Sequence, residues 1–203
     1  VGDASAGPLM AGYFEPAAGG AAIALDEVEI SILRSLATQL LELIGPGAGE
    51  SEDPLDALFA EGPERPPEDP ALARLFPDAY GEPGRPQDDE TRRLAAEFRR
   101  FTEGDLRTRK RDDLLAMVRG LDAAAQEAEA GGAVLTLKAE ESKQWLGALN
   151  DLRLAIASRL DITDEQGAEK LFELPDDDPN KPMVMAYFWL GGLQESLVET
   201  LLP

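Results

Sequence analysis

Two groups of residues in this sequence have types and spacing suited to chemistry. The first lies in Trp145-Leu-Gly-Ala-Leu-Asn-Asp-Leu-Arg-Leu-Ala-Ile-Ala-Ser-Arg-Leu160, where apolar residues recur at helical spacing and Asn150, Asp151, Arg153 and Arg159 interrupt them. An arginine between helices can grip a carboxylate or phosphate through parallel hydrogen bonds, and with Lys110 and Gln194 these residues would line a polar pocket. The alternative is an internal network of ion pairs and hydrogen bonds, with acids such as Asp78 or Asp105 as partners. Buried polar groups are normally satisfied within a fold, so the network is the first expectation.

The second group is basic: Arg92, Arg93, Arg99, Arg100, Arg107, Arg109, Lys110 and Arg111. Only Glu97, Glu103 and Asp105 oppose them, so this window carries +5 in a chain whose net charge is −21, and the remainder carries −26. Such a window could meet phosphates or an acidic partner. It lacks the interleaved exposed aromatics that stack single-stranded bases. Glu103 with Arg107, Asp105 with Arg109, and Arg109 with Asp113 have the i, i+4 spacing of helical ion pairs, so the window also reads as a solvated helix face neutralised within the protein.

Composition narrows the rest. The sequence has no cysteine and no histidine, which removes disulfides, thiolate nucleophiles, the usual zinc sites and the commonest general base near neutral pH. Carboxylate chemistry, Ser/Lys pairs and all-oxygen cation sites remain, but no calcium-loop spacing, phosphate-binding glycine loop or nucleophile elbow is present. No enzyme, cofactor or metal is expected. The strong acidity disfavours nucleic acid and anionic membranes. No apolar run has the length of a membrane span, and residues 1–22 lack the pattern of a secretory signal; a soluble, cytoplasmic protein is expected.

The elements that must position these residues point to a mainly α single domain spanning 1–203: a helical bundle with a small two- or three-stranded sheet and a long Pro-rich acidic loop. Residues 1–20 are flexible or contribute a short strand near Tyr13 to Glu15. Gly19-Gly-Ala-Ala-Ile-Ala-Leu25 followed by Glu29 recurs as Gly131-Gly-Ala-Val-Leu-Thr-Leu137 followed by Glu141, with Leu40 and Ile44 matched by Leu152 and Ile156. Each copy reads as a strand feeding a core helix, and the two strands are expected to pair. Asp26 with Glu29 resembles a capping box opening a helix that ends at Gly45-Pro46. The excursion 46–91 wraps the core, with short helices at 54–60 and 70–75 introduced by Asp53-Pro54 and Asp69-Pro70. From Asp88 a helix places Leu94, Phe98 and Phe101 on one line. Thr102 with Asp105 looks like a fresh cap, and Leu106 and Leu114 fall out of phase with Phe98, so a corner at Thr102 is expected, with a second helix to about Glu129. A loop at 161–179 precedes the last helix, whose first turns, Met183 to Leu190, are apolar nearly all round. Such a segment is central or an interface, which leaves a homodimer open.

Four blocks together carry a resemblance: Leu75-Phe-Pro-Asp-Ala-Tyr80; Glu97-Phe-Arg-Arg-Phe-Thr-Glu103 with Leu106-Arg107; Trp145 to Leu154; and Trp189 to Leu202 with Gln194-Glu-Ser-Leu-Val198. The chain resembles an uncharacterised actinobacterial family, a domain of unknown function sometimes labelled a transcriptional regulator and often encoded beside the Clp protease adaptor ClpS. The family brings no established site residues. This sequence departs from it in having few basic residues near its start. Three functions stay open: a regulatory or adaptor-type module whose partner is another protein, with a Clp link implied by the resemblance alone; a DNA-binding regulator using Arg92 to Arg111; and a small-anion binder or enzyme at Asn150, Arg153 and Arg159.

Overall fold

The computed structural model describes residues 12–46, 62–81, 85–128 and 132–202. It is mainly helical with one small sheet. The chain order is β1 (Glu15–Ala17), β2 (Gly20–Leu25), α1 (Glu27–Ile44), α2 (Pro70–Leu75), α3 (Asp89–Glu127), β3 (Ala133–Lys138), α4 (Ala139–Arg159), α5 (Glu165–Phe172) and α6 (Lys181–Leu201). No helix among the described residues is long and apolar enough to cross a membrane.

The repeated strand and helix units pair as expected. β2 lies between β1 and β3, antiparallel to both, with Gly20 opposite Lys138 and Leu25 opposite Ala133. A side chain at Gly20 would collide with the Leu137 carbonyl, its Cβ falling 1.9 Å from the oxygen, so the strands can close only over a glycine. Both units then start their helix in the same way. The Asp26 amide donates to Glu29 Oε2 at 2.9 Å, and the Lys138 amide donates to Glu141 Oε2 at 2.8 Å. In the first unit the Asp26 carboxylate also accepts from the Glu29 amide at 2.7 Å, completing a capping box. The matched pairs Leu40 with Leu152 and Ile44 with Ile156 all lie in one core cluster.

α4 is the central element. It packs against α1, α2, α3, α6 and two strands, and its Trp145, Leu149 and Leu152 are buried. Phe14 meets the Trp145 ring edge-on at 6.1 Å, and its amide donates to Ser196 Oγ at 3.1 Å, tying the start of the sheet to α6. α2 occupies 70–75 as the Asp69-Pro70 signal predicts, with Asp69 Oδ1 accepting from Ala71 and Leu72. The predicted helix at 54–60 lies outside the described residues.

Two expectations are corrected. There is no corner at Thr102: α3 runs unbroken from Asp89 to Glu127, and the Thr102 hydroxyl donates to the Phe98 carbonyl at 2.8 Å instead of capping. The inward line of its first half is Ala95, Arg99 and Glu103, which continues in phase into Leu114, Met117, Leu121 and Ala124. Leu94, Phe98 and Phe101 point outward and are exposed. The second correction is α5, which forms inside the expected loop 161–179 with Asp164 as its N-cap, Oδ1 accepting from the Gly167 amide at 2.7 Å.

Candidate functional site

The basic window is dispersed by its own helix, and its inward members are consumed by the fold. Arg99 and Glu103 are 4% and 3% exposed and bond to each other across one helical turn. Arg99 also donates to the Phe76 carbonyl at 3.0 Å and to Asp78 Oδ1 at 2.8 Å, clamping the chain that follows α2. Burial alone would lower the pKa of this guanidinium, but hydrogen bonds to Asp78 and Glu103, with their charges, raise it above the ordinary value.

Arg107 grips Glu103 Oε1 at 2.8 and 2.9 Å, stacks over the Phe76 ring at 4.4 Å, and donates to the Ile44 carbonyl at 2.6 Å. Arg111 reaches the Gly45 carbonyl. α1 has no base in its last turn, so these two arginines from α3 satisfy carbonyls at its C-terminal end and complement the negative end of its dipole. Lys110 pairs with buried Asp151 at 2.7 Å. Arg100 lies 3.9 Å from Glu64 and over the Phe101 ring at 4.8 Å. Arg92 pairs with Asp89 at the surface. Arg93 and Arg109 are the exposed remainder, and Arg109 acts through space on Asp113.

The polar residues of α4 separate into three places. Asp151 faces α3. Burial raises its pKa, partly offset by the hydrogen bond and charge of Lys110 and by Asn150. Asp113 beside it is likewise raised by burial, against the charge of Arg109. Gly147 leaves space for the Asp113 carboxylate, since a Cβ there would sit 2.5 Å from its Oδ2. Arg159 leaves the group altogether and pairs with Asp69, the α2 cap, at 3.1 Å. Neither arginine of α4 pairs with Asp78 or Asp105; Asp78 serves Arg99.

Asn150, Arg153 and Gln194 do come together, lining an open cleft of about 940 Å³ beside α5 and α6. Arg153 donates to Gln194 Oε1 at 2.7 Å and sits 5.0 Å from the Tyr187 ring centroid. Gly191 packs beside it, and a Cβ there would make only ordinary contact, 3.5 Å from the guanidinium carbon. Its Nε is buried without a hydrogen-bond partner, and no acid among the described residues lies within ion-pair distance. The cleft also contains Arg74 and the acids Asp164, Glu165, Glu195 and Glu199. The arrangement can hold one anionic oxygen pair at Arg153, under a rim that repels further negative charge.

Among the described residues no group of three or more His, Cys, Asp or Glu side chains could hold a metal ion. Sequence reasoning missed Tyr187 and Gly191, which shape the Arg153 cleft, and a second concavity walled by Met183, Met185 and Trp189. The signal for the latter was present in the all-round apolar start of α6.

The model of a family described as a domain of unknown function, DUF2017, matches residues 10–201. The chain belongs to that family. It is similar to the oxidative stress regulator AosR of Mycobacterium tuberculosis strain H37Rv, 31% identical over 184 residues, covering 86% of this chain and 78% of the relative. AosR of Mycobacterium bovis matches with the same identity and coverage. No solved structure matches this chain.

Proposed function

We propose that this DUF2017 protein is a non-enzymatic regulator that works by binding another protein, not DNA. The observation that carries this reading is the fate of the basic window. Arg99, Arg107, Lys110 and Arg111 bond to carboxylates and backbone carbonyls of their own chain, so a groove-facing row of bases is not on offer in a chain of net charge −21. The names of its mycobacterial relatives, oxidative stress regulator, support the regulatory half. Because the sequence has no cysteine, the reading assigns it the partner-binding part of regulation and not a thiol-based detection of oxidant. An adaptor role toward Clp proteolysis is a finer form of the proposal whose support is the sequence resemblance alone.

The test pairs a gel shift on duplex DNA at low salt with a crosslinked pull-down in which Clp components are probed directly. The expected outcome is a protein partner and no salt-sensitive DNA complex. A salt-sensitive complex weakened by Arg92→Ala, Arg93→Ala and Arg109→Ala, the exposed bases of the window, would reverse the reading. One observation favours a second reading, a small-anion binder: Arg153 has neutral partners only. Stabilisation of the fold by a small dicarboxylate or inorganic phosphate, lost in Arg153→Met, would support it.

A further inference from the structure

α1 and α6 both pack on α4 with scarcely any direct contact between them. The furrow left over α4 is a groove of about 1180 Å³. One wall carries Ile32, Leu36 and Leu43 of α1, and the other carries Met183, Met185 and Trp189 of α6. Ile32, Met183 and Met185 are 42%, 41% and 46% exposed, although charged residues make up 29% of the chain. The core does not need them on that side: Val184, Leu190 and Leu193 already fill the inner face of α6, and Ile30, Leu33 and Ala37 that of α1. Apolar side chains gathered in a furrow mark a binding site, and unbranched methionine adapts to irregular partner surfaces.

We propose that this groove docks an amphipathic helix with a basic flank, supplied by a partner protein. The shape is that of a bundle lacking one helix: two helical walls over a third as floor, the geometry into which the apolar face of a helix fits. Charge selects the flank. Glu42 on the α1 rim forms no ion pair among the described residues, while Arg159 on the floor side is already neutralised by Asp69. Beyond the rim the whole chain is acidic, with 40 acids against 19 bases, so a lysine- or arginine-bearing helix is drawn in and an acidic one repelled. The same charge disfavours a second copy as occupant, since each copy brings −21 to the contact.

This inference rests on the protein-partner reading above and adds where the partner sits and what it looks like. The test uses the full chain and a labelled synthetic amphipathic helix of leucine and lysine. Controls are a scrambled peptide of the same composition and a leucine and glutamate counterpart, all at physiological salt. The leucine and lysine helix should bind by fluorescence polarisation. Ile32→Asp and Met185→Asp, both at exposed positions, should each weaken binding at least tenfold while circular dichroism and thermal midpoint stay unchanged. Equal binding of the scrambled or acidic peptide, or indifference to both substitutions, overturns the proposal. So does a dimer by light scattering that these substitutions dissociate, which would make the occupant a second copy. A protein partner that the doubly substituted chain still captures in full would overturn the groove while leaving the protein-partner reading intact. Failure of the unsubstituted chain to capture any partner would count against that reading and not against a groove that holds the lysine helix.

Discussion

At the scale of the residue, the bases that look like a binding surface are mostly structural, and their energetics can be measured. A buried ion pair gains little over an apolar pair of the same shape, but removing one partner strands the other charge. Glu103→Leu should therefore cost about 3 kcal/mol by urea unfolding, since it takes the central carboxylate from both Arg99 and Arg107. The double substitution with Arg99→Met should cost less than the sum of the singles; simple additivity would deny the coupling. The Lys110 and Asp151 pair makes a prediction with the opposite flavour. Burial raises the pKa values of Asp151 and Asp113 above the ordinary carboxylate value. In the window between the ordinary and the raised values the folded chain holds more protons than the unfolded chain, so stability falls as pH rises through that window and is regained on acidification. Asp88 runs the other way: the backbone hydrogen bond from Thr91 lowers its pKa, so its contribution is lost only as pH falls through that lowered value. Thermal midpoints taken from neutral pH downward should rise first and fall later, and Asp151→Asn should flatten the rise. A midpoint that only declines from neutrality would show that Asp151 is not the penalty its burial implies.

At the scale of the element, much of the architecture is legible in the chain because it is written locally. The glycine-led strands, the Glu29 and Glu141 positions that accept from their helix-start amides, and the Asp69-Pro70 start of α2 are short-range signals, and each appears where the residues place it. The continuity of α3 is not legible in the same way. Its first-half core line is Arg99 and Glu103, whose burial depends on Phe76 and Asp78 some twenty positions away, so a reading that follows apolar residues is drawn to Phe98 and Phe101 and infers a break. The candidate site divides for the same reason. Asn150, Arg153 and Gln194 gather because i, i+3 spacing on α4 faces one helix, whereas the partners of Asp151 and Arg159 come from α3 and the α2 cap. One substitution separates the two readings of α3. Were Thr102 a cap, Thr102→Ala would cost about 1 kcal/mol. In mid-helix it should be neutral or stabilise by up to about 0.7 kcal/mol through helix propensity, whereas Asp26→Ala, which removes a real capping box, should cost about 1 kcal/mol. Chemical denaturation of the two variants side by side decides between them.

At the scale of the whole molecule, the placement of charge determines how the protein responds to its surroundings. The best-formed pairs of the basic window are sheltered: Arg99 with Glu103 and Lys110 with Asp151 are at most 15% exposed. Much of what faces water is the unopposed acid that gives the chain its −21. Added salt screens exposed charges over a Debye length of about 8 Å at physiological strength and reaches buried pairs far less. The net charge of the chain makes its surface repel itself, and the exposed ion pairs among the described residues are individually weak. Raising sodium chloride from low to physiological concentration should therefore increase the thermal midpoint, by relieving repulsion without dissolving the inner pairs. The proposed groove, whose preference for a basic helix rests on the same net charge, should at the same time lose affinity for that helix, so stability and binding should move in opposite directions along one salt series. A midpoint that falls with salt would mean that exposed pairs such as Arg34 with Asp122 outweigh the net charge. The acidic surface would then be better matched within the chain than its composition implies.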